Sequence, residues 1–211
     1  MEKYTENKLS IIIPTYNEAE NIVKLLKEII AALDNKNFEI IVVDDNSEDS
    51  TASKIGKNFK NEKKIKLIRR KQKRDLVQSI KLALQTITGS NFLVMDGDGQ
   101  HDPKDILSTI KLLKDNDLVI GTRNLKDIKS ISKIRIQLSK FFNLLANKIL
   151  RQKISDPLTG FFAGKIHLLN KKFFSINNSG FKVLLDLIFA NKNNSIKISE
   201  NTINFRTREK G

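Results

Sequence analysis

The sequence predicts an α/β fold built on a mainly parallel sheet. Three features carry that prediction. Short runs in which nearly every residue is apolar recur along the chain, as expected of strands covered on both faces. Helical patterns with one apolar stripe alternate with these runs. The runs end in aspartate, glycine or arginine, which puts polar chemistry at the carboxyl edge, where open α/β sheets bind ligands.

The first run, residues 9–14, carries Ile11, Ile12 and Ile13 and is followed by a helix over 18–33 with Ile22, Leu25, Leu26 and Ile29 on one face. A second strand over 38–43 stops at Asp44 and Asp45, and a weaker one covers 65–68. Residues 76–87 form a helix through Ile80, Ala83, Leu84 and Ile87; the next strand, 92–95, ends at Asp96. Pro103 suits a first helical turn and opens a helix through Ile106, Ile110 and Leu113. The strand over 118–120 ends at Gly121 and Arg123. Beyond it, Ser132 is placed to cap a long helix to residue 150 with a stripe of Ile134, Leu138, Phe141, Phe142, Leu145 and Ile149 that reads either as packing on the sheet or, less favoured, as inserting into lipid. Lys133, Arg135, Lys140 and Lys148 lie elsewhere on that helix. A helix near 181–190 and a final strand or hairpin over 196–205 complete the pattern.

A length of 211 residues suits one domain, and no segment reads as a linker, so a single domain over 1–211 is expected. Hydrophobic residues at 39% and charged residues at 29% fit a folded protein and exclude a disordered one. The net charge of +14 favours polyanionic partners: nucleic acid, an anionic lipid surface or phosphorylated substrates. Eleven of the basic residues fall between positions 54 and 74 against the single acid Glu62, a tract that reads either as a solvated face or as an anion-binding one. No aromatic interleaving or known motif accompanies it, so no specific nucleic acid is expected. The absence of cysteine excludes disulfides and thiolate metal sites. No stretch reaches the roughly 18 to 20 apolar residues of a membrane span, and residues 1–10 lack the apolar run of a signal peptide. Any membrane contact is therefore expected to be peripheral and cytosolic.

The sharpest chemical signal is Asp96-Gly97-Asp98-Gly99-Gln100-His101-Asp102-Pro103. An apolar strand delivers carboxylates at Asp96 and Asp98 and an amide at Gln100, with glycines between them that let the backbone turn tightly. Hard divalent cations take oxygen ligands, and Mg²⁺ commonly uses one or two carboxylates plus substrate phosphates. An isolated run of this kind also serves as a turn that caps the next helix. Asp44-Asp45-Asn46-Ser47 ends the second strand and Pro14-Thr15-Tyr16-Asn17-Glu18 ends the first. Neither His101 nor His167 has the partners of a nucleophilic triad, and His101 reads as a turn residue.

Together with Ser155-Asp156-Pro157-Leu158-Thr159-Gly160-Phe161-Phe162, these motifs resemble family 2 glycosyltransferases over nearly the whole chain, most of all the dolichol- or polyprenol-phosphate mannosyltransferases. The resemblance implies a GT-A, Rossmann-like domain that binds a nucleotide sugar. It implies that Pro14, Tyr16, Glu18, Asp45 and Asp96 hold the donor nucleotide, and that Asp96, Asp98 and Gln100 bind Mg²⁺ or Mn²⁺. It further implies that Arg123 faces the phosphates, that Asp98, Asp156 and Arg123 are the catalytic set, and that Arg135, Arg206 and Arg208 meet the acceptor phosphate. Two departures stand out. Family members usually carry glycine in a run like R-G-L, where this chain has Asp75 in Arg74-Asp75-Leu76. Residues 206–211 stop where relatives continue through Gly-x-Ser-Lys, so the chain is expected to be either the catalytic part of a longer product or a short form.

The implied reaction moves a hexose, mannose or glucose, from a GDP-mannose or UDP-glucose type donor to a polyprenyl or dolichyl phosphate, with inversion. An acceptor phosphate is already anionic near neutral pH and needs no general base. The alternatives are transfer to a glycan or glycolipid hydroxyl with Asp156 as base, or a basic nucleotide- or nucleic-acid-binding protein without turnover.

Overall fold

The computed structural model describes residues 4–123, 154–177 and 183–207. Among the described residues, seven strands form one sheet: β1 (Thr5–Thr15), β2 (Phe38–Asp44), β3 (Ile65–Arg69), β4 (Gly89–Val94), β5 (Leu118–Arg123), β6 (Phe162–Lys165) and β7 (Ile198–Ile203). Their spatial order is β3-β2-β1-β4-β6-β5-β7. Every pairing is parallel except those of β6, which runs antiparallel to both β4 and β5. The helices are α1 (Ile22–Ala32), α2 (Thr51–Asn58), α3 (Leu76–Thr86), α4 (Asp105–Leu112), α5 (Lys171–Ser175) and α6 (Val183–Ala190).

The continuous apolar runs have a direct cause in the strand period of two. Ile11, Ile13, Ile40, Val42 and Leu93 project to the face covered by α1 and α4, where they meet Leu25, Leu26, Ile29 and Ile106. Ile12, Ile41, Val43, Phe92 and Val94 project to the other face, against Val77, Ile80 and Leu84 of α3 and Leu184 and Leu187 of α6. Each fully buried aliphatic side chain contributes roughly 1.5–3 kcal/mol, so two such layers explain why β2 is buried at all seven positions.

From β1 the chain steps outward through α1, β2 and α2 to β3, then returns through α3 to β4 on the far side of β1. Because crossovers between parallel strands are right-handed, reversing the direction of travel moves the connecting helix to the opposite face. The crevice between β1 and β4 is the resulting switch point, and ligands bind there in open α/β sheets.

The expected strands over 9–14, 38–43, 65–68, 92–95 and 118–120 all lie within or overlap observed strands. The 196–205 segment is a strand over Ile198–Ile203, not a hairpin. Strand β6 has no counterpart in the sequence reading. Its Gly164 packs on Phe92, where a Cβ would come within 2.6 Å of the ring. The expected helix over 132–150, with Arg135, lies outside the described residues, as do Arg208 and the first two positions of the 181–190 helix. Among the described residues, no helix is long and apolar enough to cross a membrane.

Candidate active site

The loops after β1 and β2 are locked to each other before any ligand is considered. Asn17, with φ of 55°, accepts from Glu48 N at 2.9 Å, and its own amide donates to Ser47 Oγ at 3.0 Å. Glu18 N donates to Thr51 Oγ1 at 2.9 Å and Ala19 N to Asp49 Oδ2 at 3.0 Å. Asparagine tolerates the left-handed backbone at Asn17, and its short amide bridges the two loops. This lattice presents Pro14, Tyr16, Glu18 and Asp45 along one wall of a cavity of about 990 Å³ at the carboxyl edge of the sheet.

Asp45 is buried and paired. Arg70 bonds its Oδ1, and the Asp75 amide donates to its Oδ2 at 2.7 Å. The same guanidinium reaches Ser79 Oγ and the Asp75 carbonyl, each at 3.2 Å. Arg74 lies over the Tyr16 ring, 4.0 Å from its centroid, at the cavity rim. The basic tract is thus partly internal: Arg70 is 8% exposed, and Lys66 reaches buried Glu39 at 2.7 Å. The sequence reading assigned no role to Arg70. The available signal was its place just past β3, at the edge where Asp44 and Asp45 also end a strand.

Asp75 takes extended backbone angles (φ −160°, ψ 110°), which any residue adopts, so this position does not demand glycine. Its carboxylate accepts from Gln78 N at 3.1 Å and caps α3.

Asp96 and Asp98 lie at the cavity floor with Gly97 between them. The Asp96 amide donates to His101 Nδ1 at 3.2 Å, so Nδ1 is the unprotonated ring nitrogen. His101 is packed between Phe161 and Phe205, at 5.3 and 5.5 Å between ring centres, and burial pushes its pKa down to about 4 against the pull of Asp98. It is a neutral, buried support for the acidic loop, and it pairs with Phe205 in an isolated antiparallel bridge. Desolvation raises the Asp96 carboxyl above its ordinary pKa, while Arg123 pulls it down. Gly160 abuts this carboxylate: a Cβ there would come within 2.7 Å of Oδ1 and nearer still to Oδ2.

The remaining expected residues surround this floor without lining the cavity. Arg123 Nε and Nη2 both bond Asp156 Oδ2 at 2.9 Å. The Gln100 amide nitrogen donates to Asp98 Oδ1 at 3.0 Å, and its side-chain nitrogen donates to the Arg206 carbonyl at 3.4 Å. Arg206 is paired with Glu28 at 2.6 Å and Asp102 at 2.7 Å. The structure therefore brings Pro14, Tyr16, Glu18, Asp45, Asp96 and Asp98 to one cavity and does not bring Arg206 into it.

Among the described residues, no three histidine, aspartate or glutamate side chains converge as a metal cage. Two carboxylates at the floor of a cavity, one of them partly desolvated and pressed by Gly160, fit a hard cation that takes its other oxygens from phosphates.

Residues 10–175 match the model of glycosyl transferase family 2. The chain belongs to that family. It is 34% identical over 210 residues to a dolichol-phosphate mannosyltransferase from Pyrococcus furiosus, covering 97% of this chain and 58% of that protein. It is 29% identical over 186 residues to the dolichol-phosphate mannosyltransferase of Saccharomyces cerevisiae, covering 85% of this chain and 69% of that one. The chain thus spans somewhat over half the length of the Pyrococcus relative. Among solved structures, glucosyl-3-phosphoglycerate synthase from Mycobacterium tuberculosis, crystallised with Mn²⁺, UDP and phosphoglyceric acid, superposes with a TM-score of 0.73 at 16% identity. The superposition covers 96% of this chain and 72% of that one and establishes the shared GT-A fold.

Proposed function

We propose that this chain is a divalent-metal-dependent glycosyltransferase that moves a hexose from a nucleoside-diphosphate sugar to a polyprenyl phosphate at the cytosolic membrane surface. The observation that carries the reading is the cavity itself, with Pro14, Tyr16 and Asp45, which we assign to the nucleoside, on one wall and Asp96 and Asp98 on the floor. The relatives named as dolichol-phosphate mannosyltransferases support the acceptor class, and the Mn²⁺ and UDP of the structural neighbour support the donor class.

Asp96 and Asp98 would hold Mg²⁺ or Mn²⁺, which when bound stabilises negative charge on the departing diphosphate. Tyr16 offers a ring for the nucleobase and Arg74 a cation over it. In the transfer, an acceptor phosphate oxygen forms a bond to the anomeric carbon as the bond to the donor's distal phosphate breaks, inverting that carbon. The nucleoside diphosphate leaves with the electron pair.

The state of Asp156 supports a phosphate acceptor. One of its oxygens already receives two N–H groups from Arg123, so that oxygen is not open to accept a hydrogen bond from an incoming hydroxyl. A hydroxyl nucleophile needs such an acceptor; a phosphate brings its own charge. Peripheral attachment rests on the net charge of +14, since basic residues near an anionic leaflet contribute roughly 1 kcal/mol each.

A melting-temperature screen tests the donor half. GDP or UDP with Mn²⁺ should raise the transition through mass action, and neither nucleotide should do so in chelator. Equal stabilisation with and without metal would refute metal-dependent binding.

A further inference from the structure

Beyond β7 the chain folds back onto the acidic loop and grips it from outside the cavity. Asn204 donates to the Asp105 carboxylate through its backbone amide at 2.7 Å and its side chain at 3.1 Å. Phe205 makes an antiparallel bridge to His101 and packs on its ring. Arg206 N donates to the Gln100 carbonyl at 2.8 Å, and Gln100 Nε2 returns a bond to the Arg206 carbonyl at 3.4 Å. The guanidinium then joins Glu28 on α1 at 2.6 Å to Asp102 in the loop at 2.7 Å.

We propose that Arg206 is a positioning residue: with Glu28 and Asp102 it sets the loop over 96–102 that carries Asp98, and it does not contact the acceptor phosphate. Its connection to the metal site rests on the function proposed above.

Two arguments support this. The first is electrostatic. A guanidinium held between two carboxylates has its charge already matched, so a phosphate entering there would meet a locally negative group. The second is mechanical. Asp98 sits between Gly97 and Gly99, and Gly99 adopts a left-handed φ of 77°, so its own backbone restrains it little. What holds Asp98 is the Gln100 amide at 3.0 Å, and what holds Gln100 is Arg206, bonded to it in both directions. The chain of restraint runs from Glu28 and Asp102 through Arg206 and Gln100 to Asp98. Supports of this kind orient metal ligands, and their loss commonly weakens metal affinity about 10- to 100-fold.

The test compares the unmodified full chain with Glu28→Gln, Arg206→Ala and Arg206→Lys. Hydrogen exchange over 96–102 is read without metal, and Mn²⁺ affinity is read in the presence of GDP and of UDP. Glu28→Gln and Arg206→Ala should both exchange faster in that loop and bind Mn²⁺ about tenfold or more weakly, with Arg206→Lys between them and the unmodified chain. The KM for polyprenyl phosphate should not move in Glu28→Gln. The Glu28 side chain is 32% exposed on α1, so Glu28→Gln should keep the fold and leave the test readable if Arg206→Ala unfolds. Unchanged exchange in the loop would overturn the proposal. So would a lower acceptor KM in Glu28→Gln, the result expected if removing Glu28 freed the guanidinium for a phosphate. If the unmodified chain binds no Mn²⁺, the metal reading fails separately, and exchange alone decides whether the clasp exists.

Discussion

Arg70 and Asp45 form a buried ion pair at the carboxyl edge of β2 and β3, with the guanidinium also bonded to Ser79 at 3.2 Å. The pair ties the cavity wall that carries Pro14, Tyr16 and Asp45 to the start of α3. Removing one partner of such a pair leaves an uncompensated buried charge, at a cost of about 3–5 kcal/mol. Arg70→Ala should therefore lower the urea midpoint sharply, while Arg70→Ala combined with Asp45→Asn should recover part of the loss. Equal destabilisation by the single and double variants would contradict the pairing.

Asp98→Asn should keep the melting temperature of the ligand-free protein while removing the Mn²⁺-dependent part of nucleotide stabilisation. Its turnover should fall by the equivalent of about 3 kcal/mol, on the scale of a lost charge-stabilising group. The comparison to run is melting with and without GDP, UDP and Mn²⁺, beside initial rates.

Gly160→Ala places a methyl against the Asp96 carboxylate, 2.7 Å from Oδ1. Overpacking of this kind costs about 1–3 kcal/mol. Denaturation should show that loss, and Mn²⁺ affinity should fall with it because Asp96 must turn away. Retained affinity in a destabilised variant would separate Gly160 from the metal site.

Asp75 caps α3 and lies at the cavity rim, so its two roles can be parted. Asp75→Ala should cost about 1 kcal/mol of stability, whereas Asp75→Asn should keep the cap. Because asparagine removes a negative charge from the rim of the cavity proposed to take the anionic nucleotide, Asp75→Asn should bind nucleoside diphosphate more tightly, as read by calorimetry.

Glu39 is buried at the start of β2. Burial would raise its pKa, but hydrogen bonds from Lys66, Ser10 and Thr88 prevail and bring it from its ordinary 4.5 to about 2. A depressed carboxylate stabilises the fold above its unfolded pKa and loses that contribution as pH falls through the folded one. Stability should thus decline between about pH 4.5 and 2, and Glu39→Gln should flatten that decline when denaturation is followed across the range.

Much of the fold was legible because its strands are covered on both faces: Ile11 to Ile13 and Ile40 to Val43 leave no polar position to confuse the pattern. Strand β6 was not, since four residues containing Ala163 and Gly164 carry no period, and its antiparallel place depends on neighbours far back along the chain, such as Phe92↔Gly164. Pro14, Tyr16, Asp45, Asp96 and Asp98 could be found from strand ends, because topology alone puts those ends together. The arginines could not be sorted that way. A guanidinium serves phosphate and carboxylate alike, so sequence does not say that Arg70 meets Asp45 or that Arg206 meets Glu28 and Asp102.

The most direct measurement offers the chain polyprenyl phosphate and the matching free polyprenol, each with GDP-mannose and UDP-glucose, in Mn²⁺ and in chelator. A glycosyl-phosphate lipid should form from the phosphate alone and only with metal, with Asp156→Asn retaining measurable turnover. Transfer to a hydroxyl acceptor that Asp156→Asn abolishes, or transfer undiminished by chelator, would contradict metal-dependent transfer to a phosphate.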